Sequence, residues 1–172
     1  MELPKSLCSP NVNVNLIQAA LTAGMFPKII SIDPPSGQMQ TINNNRPVAF
    51  HPSSVNFRRP AREFNLLHGP ITHQLGRQSK KLYTSETGPA NDFALILLCG
   101  DCEFKVASEL VIVDRKLKYQ VPGKTILALK ALRSRLASNM AFRLRSRPPD
   151  SKSEDDIWAA LALQLFTGPT AS

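Results

Sequence analysis

The succession of apolar patterns along residues 16–56 restricts the fold of this chain more than any other feature. Apolar residues recur at three- and four-residue spacing over 16–21, which predicts a short amphipathic helix. Two β-type runs follow at 29–32 and 39–42, and a Pro-Pro-Ser-Gly turn separates them. The chain then enters a polar loop at 51–56. We therefore predict a docked helix that leads directly into a β-hairpin.

Length and cysteine content limit the class of protein. At 172 residues the chain can form one compact domain with its own apolar core and a docked helical appendage. Its three cysteines, an odd number with no leader, favour a reducing compartment over a disulfide framework. No apolar run reaches the length of about 18 residues that a membrane span needs. We therefore expect a cytoplasmic or nuclear protein that has no membrane partner.

The middle of the chain contains both the weakest and the strongest β signals. Prolines and glycines interrupt residues 57–91, so we predict an irregular region there with one short strand at Lys81–Thr84. The apolar run Phe93–Leu98 predicts a strand that is buried on both faces. Two further strands are predicted at Leu110–Val113 and Leu117–Val121. No helix is predicted between these strands, which favours an antiparallel barrel over a parallel α/β sheet.

Two helices are predicted towards the C-terminal end. Apolar residues from Ile126 to Met140 recur at three- and four-residue spacing, and Pro148-Pro149 ends the pattern. A second stripe runs from Ile157 to Leu165 and stops at Gly168-Pro169. Together with the first helix, these helices would flank the barrel. The predicted fold class is therefore α+β and mainly β.

Basic residues are concentrated in one segment. The whole chain has a net charge of +8, but residues 115–147 alone contain ten basic and no acidic residues. Such a block is typical of a surface that binds phosphates, and it is equally compatible with a solvated helix face. Among the aromatic residues, Tyr83 and Tyr119 are the better candidates for stacking on bases. The basic candidates for nucleic-acid binding are Arg115, Lys116, Lys118, Lys130, Arg133 and Arg135.

Two short motifs suggest a metal or nucleotide site but lack the residues that such sites require. Cys99 and Cys102 supply two thiolates, whereas structural zinc takes a second pair of ligands. Gly123-Lys124-Thr125 lacks the upstream glycine of a phosphate-binding loop, because Lys118 occupies that position. We therefore predict no metal and no cofactor.

The loop at 51–56 contains hydroxyls beside an imidazole. Ser53 and Ser54 lie near His51, as a nucleophile lies near its base, but the sequence has no nucleophile elbow and no orienting carboxylate close to this loop. Hydroxyls beside a proline more often form hydrogen bonds within a turn. We therefore predict no catalytic residue.

Four segments occur in an order that resembles one domain of a known family. They are LTAGMFP at 21–27, HPSSVN at 51–56, FALILLCGD at 93–101 and the strand-helix segment from LVIV to RSRL at 110–136. Together they are similar to the C-terminal OB-fold domain of DEAH/DExH-box RNA helicases, and among these to the large DExH enzymes with auxiliary N-terminal regions. The resemblance implies an OB-fold-like antiparallel barrel with an N-terminal docked helix and one or two C-terminal helices.

The resemblance also implies a domain layout. We expect a disordered start at 1–12, the terminal helix of a preceding helical domain at 13–26, an OB-fold-like domain at 27–147 that includes the irregular region 57–91, and a C-terminal helix and tail at 148–172.

The function implied by the resemblance is that of an RNA-binding accessory module of an ATP-dependent RNA helicase. The chain contains no Walker A, DEAH or arginine-finger motif, so it is not expected to be an enzyme by itself. In the resembled domain the HPSSVN loop lies near RNA, which implies nucleic-acid contacts for His51, Ser53, Ser54 and Asn56. The implied partners are single-stranded RNA and helicase core domains, in cis or in trans.

Two alternatives stay open at this point. The chain could be a protein-docking domain that binds helicase lobes or ribosomal partners, or a fragmentary gene product that does not fold alone. Salt dependence distinguishes RNA binding from docking, because neutralised phosphates release counterions and an apolar interface does not.

Overall fold

A computed structural model describes residues 13–75, 80–145 and 155–167. Within these ranges the chain forms four helices, α1 (Val14–Met25), α2 (Asp92–Leu98), α3 (Gly123–Arg145) and α4 (Asp155–Thr167). The strands are β1 (Ile29–Ile32), β2 (Met39–Thr41), β3 (Pro47–Phe50), β4 (Leu66–His68), β5 (Ile71–Leu75), β6 (Lys80–Thr84), β7 (Gly88–Pro89), β8 (Cys102–Lys105), β9 (Leu110–Val113) and β10 (Leu117–Gln120). The predicted disordered start at 1–12 and the end of the predicted tail lie outside the described residues.

The strands form two sheets. Seven strands in the order β5-β6-β3-β2-β1-β4-β7 make a curled sheet, or half-barrel, and β10-β9-β8 make a second, three-stranded sheet. All described strand pairs are antiparallel apart from β3 and β6, which run parallel. The expected α+β, mainly-β fold with a barrel-like sheet is therefore confirmed, with one parallel pair that the sequence did not indicate.

The predicted first helix and hairpin are both present. The Asn13 side chain accepts a hydrogen bond from the Leu16 amide at 3.2 Å, which satisfies one of the free amides at the start of α1. The β1–β2 hairpin follows, with Ile30 opposite Thr41 in register. Ile30, Ile32 and Met39 are buried together in the cluster inside the half-barrel, so the hairpin contributes its apolar face to the barrel core.

The predicted strand at Phe93–Leu98 is wrong, because these residues form α2. The Asn91 side chain accepts a hydrogen bond from the Ala94 amide at 2.9 Å and so caps a helix at this point. Four consecutive α2 residues, from Ala94 to Leu97, are almost completely buried. A helix surrounded by protein needs no polar face, so its sequence shows no period and resembles that of a buried strand.

The prediction that residues 57–91 are irregular is wrong where strands form, although the one short strand predicted there, at Lys81–Thr84, is present as β6. After a 3-10 turn at Ala61–Glu63, the segment contributes β4, β5, β6 and β7 to the half-barrel. β4 has only three residues, yet Leu67 lies opposite Ile30 and both are fully buried. A run this short cannot display alternation, so its pairing with a distant strand determines its conformation.

Two apolar clusters hold the fold together. One lies inside the half-barrel and contains Ile32, Phe50 and Leu82. The other lies between the helices and the three-stranded sheet, where Leu95 and Ile126 are fully buried. The two clusters place the barrel on one side of the molecule and the helices, with β8–β10, on the other.

Candidate nucleic-acid interface

The loop after β3 holds its own shape through two of the predicted RNA-contact residues. Ser54 and Asn56 have only 7% and 6% of their surface exposed. The Asn56 side-chain nitrogen donates hydrogen bonds to the main-chain oxygen and the hydroxyl of Thr87, at 3.1 and 3.0 Å. The Asn56 side chain therefore attaches this loop to the turn before β7, whereas the buried Ser54 hydroxyl accepts a hydrogen bond from the Asn56 amide at 3.3 Å within the loop.

The other two residues predicted in this loop are more accessible. His51 Nδ1 lies 2.7 Å from the Ser53 hydroxyl and accepts a hydrogen bond from the Ser53 amide at 3.2 Å. Because Nδ1 accepts, the proton of the neutral imidazole lies on Nε2. The His51 ring also meets the half-exposed ring of Tyr83 edge to face, at a centroid distance of 5.8 Å. This corner thus presents an N–H donor beside an aromatic ring.

Three of the predicted basic residues meet at a groove between the β9–β10 turn and the β1–β2 hairpin. The turn is tight, with positive φ values of 50° at Asp114 and 60° at Arg115. The Lys116 ammonium donates to the main-chain oxygen of Asn43 at 2.7 Å, which connects the turn to the loop after β2. Lys118 is exposed on β10.

The groove itself is polar and has a volume of about 400 Å³. Opposite the three basic residues lie Ser31 and Gln40, together with Asn43 and Asn45 from the loop after β2. No carboxylate occurs among the described residues that line it. Cations and neutral amides or hydroxyls, without an opposing negative charge, form an environment that favours a phosphate.

The three predicted basic residues on α3 differ in what their side chains contact. Lys130 is exposed and has no interaction partner among the described residues. The Arg133 guanidinium instead donates to main-chain oxygens of Ile96, Cys99 and Gly100. The Arg135 guanidinium lies 5.9 Å from the centre of the Trp158 ring and so connects α3 with α4. None of the three is among the described residues that line the β9–β10 groove.

Tyr119 packs against the apolar core, so its ring is poorly placed to stack on a base. Its hydroxyl donates to the Asp92 carboxylate at 3.1 Å, and its ring packs against the cluster beneath the helices. Burial, together with the charge of Asp92, raises the pKa of Tyr119. Burial also raises the pKa of Asp92, although its hydrogen bond with Tyr119 acts in the opposite direction. Of the two tyrosines proposed for stacking, Tyr83 is the more available.

The two cysteines near the end of α2 lie in an apolar environment. Burial raises the pKa of Cys99 to about 11, and burial also raises the pKa of Cys102. The Cys102 thiol contacts the main-chain oxygen of Ile96 at 3.3 Å. Within residues 13–75, 80–145 and 155–167, no three histidine, cysteine or acidic residues are grouped in a way that could hold a metal ion. None of the described helices has the length and apolar content to cross a membrane.

Reasoning from the sequence missed the loop that completes the groove. Asn43 and Asn45 lie in the loop between β2 and β3, for which we made no prediction. Arg46 follows three consecutive asparagines and lies outside the basic block at 115–147. The available signal was the combination of a polar turn with a basic residue between two strands of a barrel.

Comparison with known proteins supports the architecture. The family model for the oligonucleotide/oligosaccharide-binding (OB)-fold matches residues 17–102. The ATP-dependent DNA/RNA helicase DHX36 of Mus musculus is 25% identical over 173 residues, covering 91% of this chain and 17% of the relative. The Homo sapiens DHX36 helicase is 25% identical over 162 residues, covering 85% of this chain and 16% of the relative.

The chain therefore spans about one sixth of the length of the curated relatives it matches. The part it matches is the OB-fold domain and not the catalytic core. With the half-barrel and the family match in agreement, this chain belongs to the OB-fold domain family found in DEAH-box helicases.

Proposed function

We propose that this chain is a non-catalytic, nucleic-acid-binding module of an ATP-dependent RNA helicase, working in the cytoplasm or nucleus. The observation that carries the proposal is the groove at the β9–β10 turn, where Arg115, Lys116 and Lys118 face amides and hydroxyls without a carboxylate among the described lining residues. Single-stranded RNA is the proposed ligand, since a half-open barrel with a basic groove can follow its backbone.

The accessible part of the loop after β3 would form a second contact. His51 offers an N–H donor at Nε2, and Tyr83 offers a half-exposed ring beside it. Ser53 lies at the same corner, while Ser54 and Asn56 would support the loop from below. In this arrangement the basic groove supplies most of the affinity, because phosphate contacts dominate binding to RNA without sequence preference.

ATP hydrolysis is assigned to helicase core domains that act with this module in cis or in trans. The relatives are named as ATP-dependent helicases, and this chain corresponds to about one sixth of their length. The sequence contains no Walker A or DEAH motif, so we expect no ATP hydrolysis by this chain alone. The nearest motif, Gly123–Thr125, forms the first turn of α3, and the position that would require a glycine is Lys118 on β10.

Fluorescence anisotropy with two labelled single-stranded RNAs of unrelated sequence tests the proposal. The triple variant Arg115→Ala/Lys116→Ala/Lys118→Ala should weaken binding to both RNAs alike. The log-log salt slope should fall by about 0.7 for each lost phosphate contact, or about 2 in total. A matched control is Arg58→Ala/Arg62→Ala/Lys105→Ala, which removes the same charge from exposed residues that do not line the groove. Equal losses in both variants, or an unchanged slope, would count against the groove.

A second candidate function, protein docking, is favoured by a different surface. Val14, Ile17 and Leu21 lie on one side of α1 and are 62%, 45% and 47% exposed, and Val55 in the loop after β3 is 88% exposed. α1 uses its other side to pack against α2 and α4. Exposed apolar residues grouped in this way often mark a protein interface. Helicase lobes or ribosomal components would be the partners.

The double variant Ile17→Ser/Leu21→Ser distinguishes docking from RNA binding. If α1 is a docking surface, the variant should lose binding to helicase core domains and keep its RNA affinity and salt slope. Cooperative unfolding of the unmodified chain in urea, followed by circular dichroism, would also argue against a fragment that does not fold alone.

A further inference from the structure

The loop that connects β2 and β3 separates two grooves. On one side lies the groove at the β9–β10 turn. On the other side lies a groove of about 200 Å³, between this loop and the start of β1. Asn43 lines both grooves, so the loop is a narrow ridge between them.

The second groove also contains basic residues that lack a counter-charge. Lys28 is exposed and Arg46 is partly exposed, and both line the groove. Neither side chain forms an ion pair or a hydrogen bond among the described residues. The remaining described lining residues include no carboxylate, and Ile71 and Leu82 form an apolar floor. Unpaired cations beside an apolar floor could accommodate a phosphate and the base attached to it.

The ridge is held in a defined conformation before any ligand binds. The Asn45 amide donates to the Thr41 main-chain oxygen at 3.0 Å, and the Arg46 amide donates to the Thr41 hydroxyl at 3.1 Å. Asn45 has a positive φ of 51°, which asparagine tolerates better than most residues. The Ile42 amide donates to the Ile29 oxygen at 3.1 Å and attaches the ridge to β1. A preformed ridge reduces the entropy lost on binding.

We propose that the two grooves form one track for the backbone of single-stranded nucleic acid, which crosses the ridge at Asn43. Phosphates lie near Lys28 and Arg46 on one side of the ridge and near Arg115 and Lys118 on the other. The inference deepens the proposed function and rests on it, because it names the path that the ligand takes. An acidic peptide is the competing ligand class. A nucleic acid fits better, since the apolar floor beside the cations suits bases that alternate with phosphates.

Salt-dependent RNA binding by paired variants tests this track. With an oligouridine of about 16 nucleotides, within the usual span of an OB-fold site, Lys28→Ala/Arg46→Ala should weaken binding and lower the salt slope by about 1.4. Arg115→Ala/Lys118→Ala should have a similar effect, and the combined variant should show both losses. With an oligouridine of about 4 nucleotides, which cannot occupy both grooves, either pair variant alone should have a smaller effect than it has with the longer RNA, because the other groove stays available. The control Arg58→Ala/Lys105→Ala removes an equal charge outside both grooves.

The outcomes separate the track from the proposed function. If Arg115→Ala/Lys118→Ala weakens binding and Lys28→Ala/Arg46→Ala does not, the track is overturned while RNA binding at the first groove stands. If neither pair of substitutions weakens RNA binding, both the track and the proposed RNA binding at the first groove are overturned. If polyglutamate of matched charge displaces the RNA as effectively as unlabelled oligouridine does, the assignment to nucleic acid is overturned. Should an alanine variant unfold by circular dichroism, Lys28→Gln/Arg46→Gln removes the same charges while keeping the length of the side chains close to the original.

Discussion

The guanidinium of Arg133 on α3 donates from Nη1 to the main-chain oxygen of Ile96 at 2.6 Å. The same nitrogen donates to the Cys99 oxygen at 3.1 Å, and Nη2 donates to the Gly100 oxygen. These carbonyls belong to the C-terminal end of α2 and the turn that follows it. Carbonyls at a helix end lack partners within the helix and carry partial negative charge. Arg133 therefore joins α3 to α2 through charge-assisted hydrogen bonds.

Replacing Arg133 with alanine should reduce stability more than it affects RNA binding. Hydrogen bonds to a charged group contribute about 1.5–3 kcal/mol, so Arg133→Ala should lower the free energy of unfolding by about 2–3 kcal/mol. Urea denaturation measures this change. The control Lys130→Ala alters an exposed residue on the same helix and should change stability by no more than about 0.5 kcal/mol. A stable Arg133→Ala variant with weakened RNA binding would contradict the assignment.

Local patterns were enough for some elements and insufficient for others. α1, the β1–β2 hairpin and α3 were predictable, because each has a clear period or turn signal within its own sequence. α2 was not predictable as a helix, because the burial of its central residues removes the apolar period by which a helix is recognised. β4 was not predictable either, because three residues show no alternation and the position of the strand depends on its pairing with β1.

The candidate site shows the same division. Composition identified Arg115, Lys116 and Lys118, which the fold does bring to one groove. Composition could not distinguish these three residues from Arg133. An arginine that caps a helix end and an arginine that faces solvent look identical in a sequence. Composition also missed Lys28, which reaches the surface beside Asn43 only after the barrel has folded.

The loop after β3 should depend on Asn56 for its stability. Asn56→Asp is nearly the same size but replaces the nitrogen that donates to both oxygen atoms of Thr87 with an acceptor. Loss of these buried hydrogen bonds should lower the free energy of unfolding by about 1–3 kcal/mol. Ser53→Ala is the control, because Ser53 is exposed and should cost no more than about 0.5 kcal/mol. Similar unfolding midpoints for the two variants in urea would contradict the anchoring role.

The cysteines at the end of α2 should react slowly with alkylating reagents. The thiolate is the reactive form, and burial raises the pKa of Cys99 to about 11 and that of Cys102 as well. In folded protein at pH 8, mass spectrometry should therefore find slow labelling of both residues by iodoacetamide. The same chain in urea supplies the control, because both thiols are then exposed and should label quickly. We also expect Cys99→Ser/Cys102→Ser to leave zinc content at background, so stoichiometric zinc that disappears in this variant would refute the absence of a metal site.

His68 on β4 occupies an unusual position for a titratable group. Its side chain is almost completely buried, and its Nε2 atom has no hydrogen-bond partner among the described residues. A side chain at Gly88 would approach Nε2 to 3.0 Å, so the glycine leaves the space that the imidazole occupies. Burial is the cause that lowers the pKa of His68 below its usual value of 6.5.

Protonation of His68 should make the folded state less stable at acidic pH. Below pH 6.5 the unfolded chain binds a proton at this position, while the folded protein does so only below its lowered pKa. Between these two values the free energy of unfolding should fall as pH decreases, by at most about 1.4 kcal/mol per pH unit. His68→Leu removes the titrating group, so urea denaturation from pH 7 to 5 should show a shallower decline than in the unmodified protein. The raised pKa of Asp92 acts in the opposite direction, because its protonation favours the folded state, and Asp92→Asn therefore serves as the comparison. An equally steep decline in His68→Leu would show that another group governs the loss of stability.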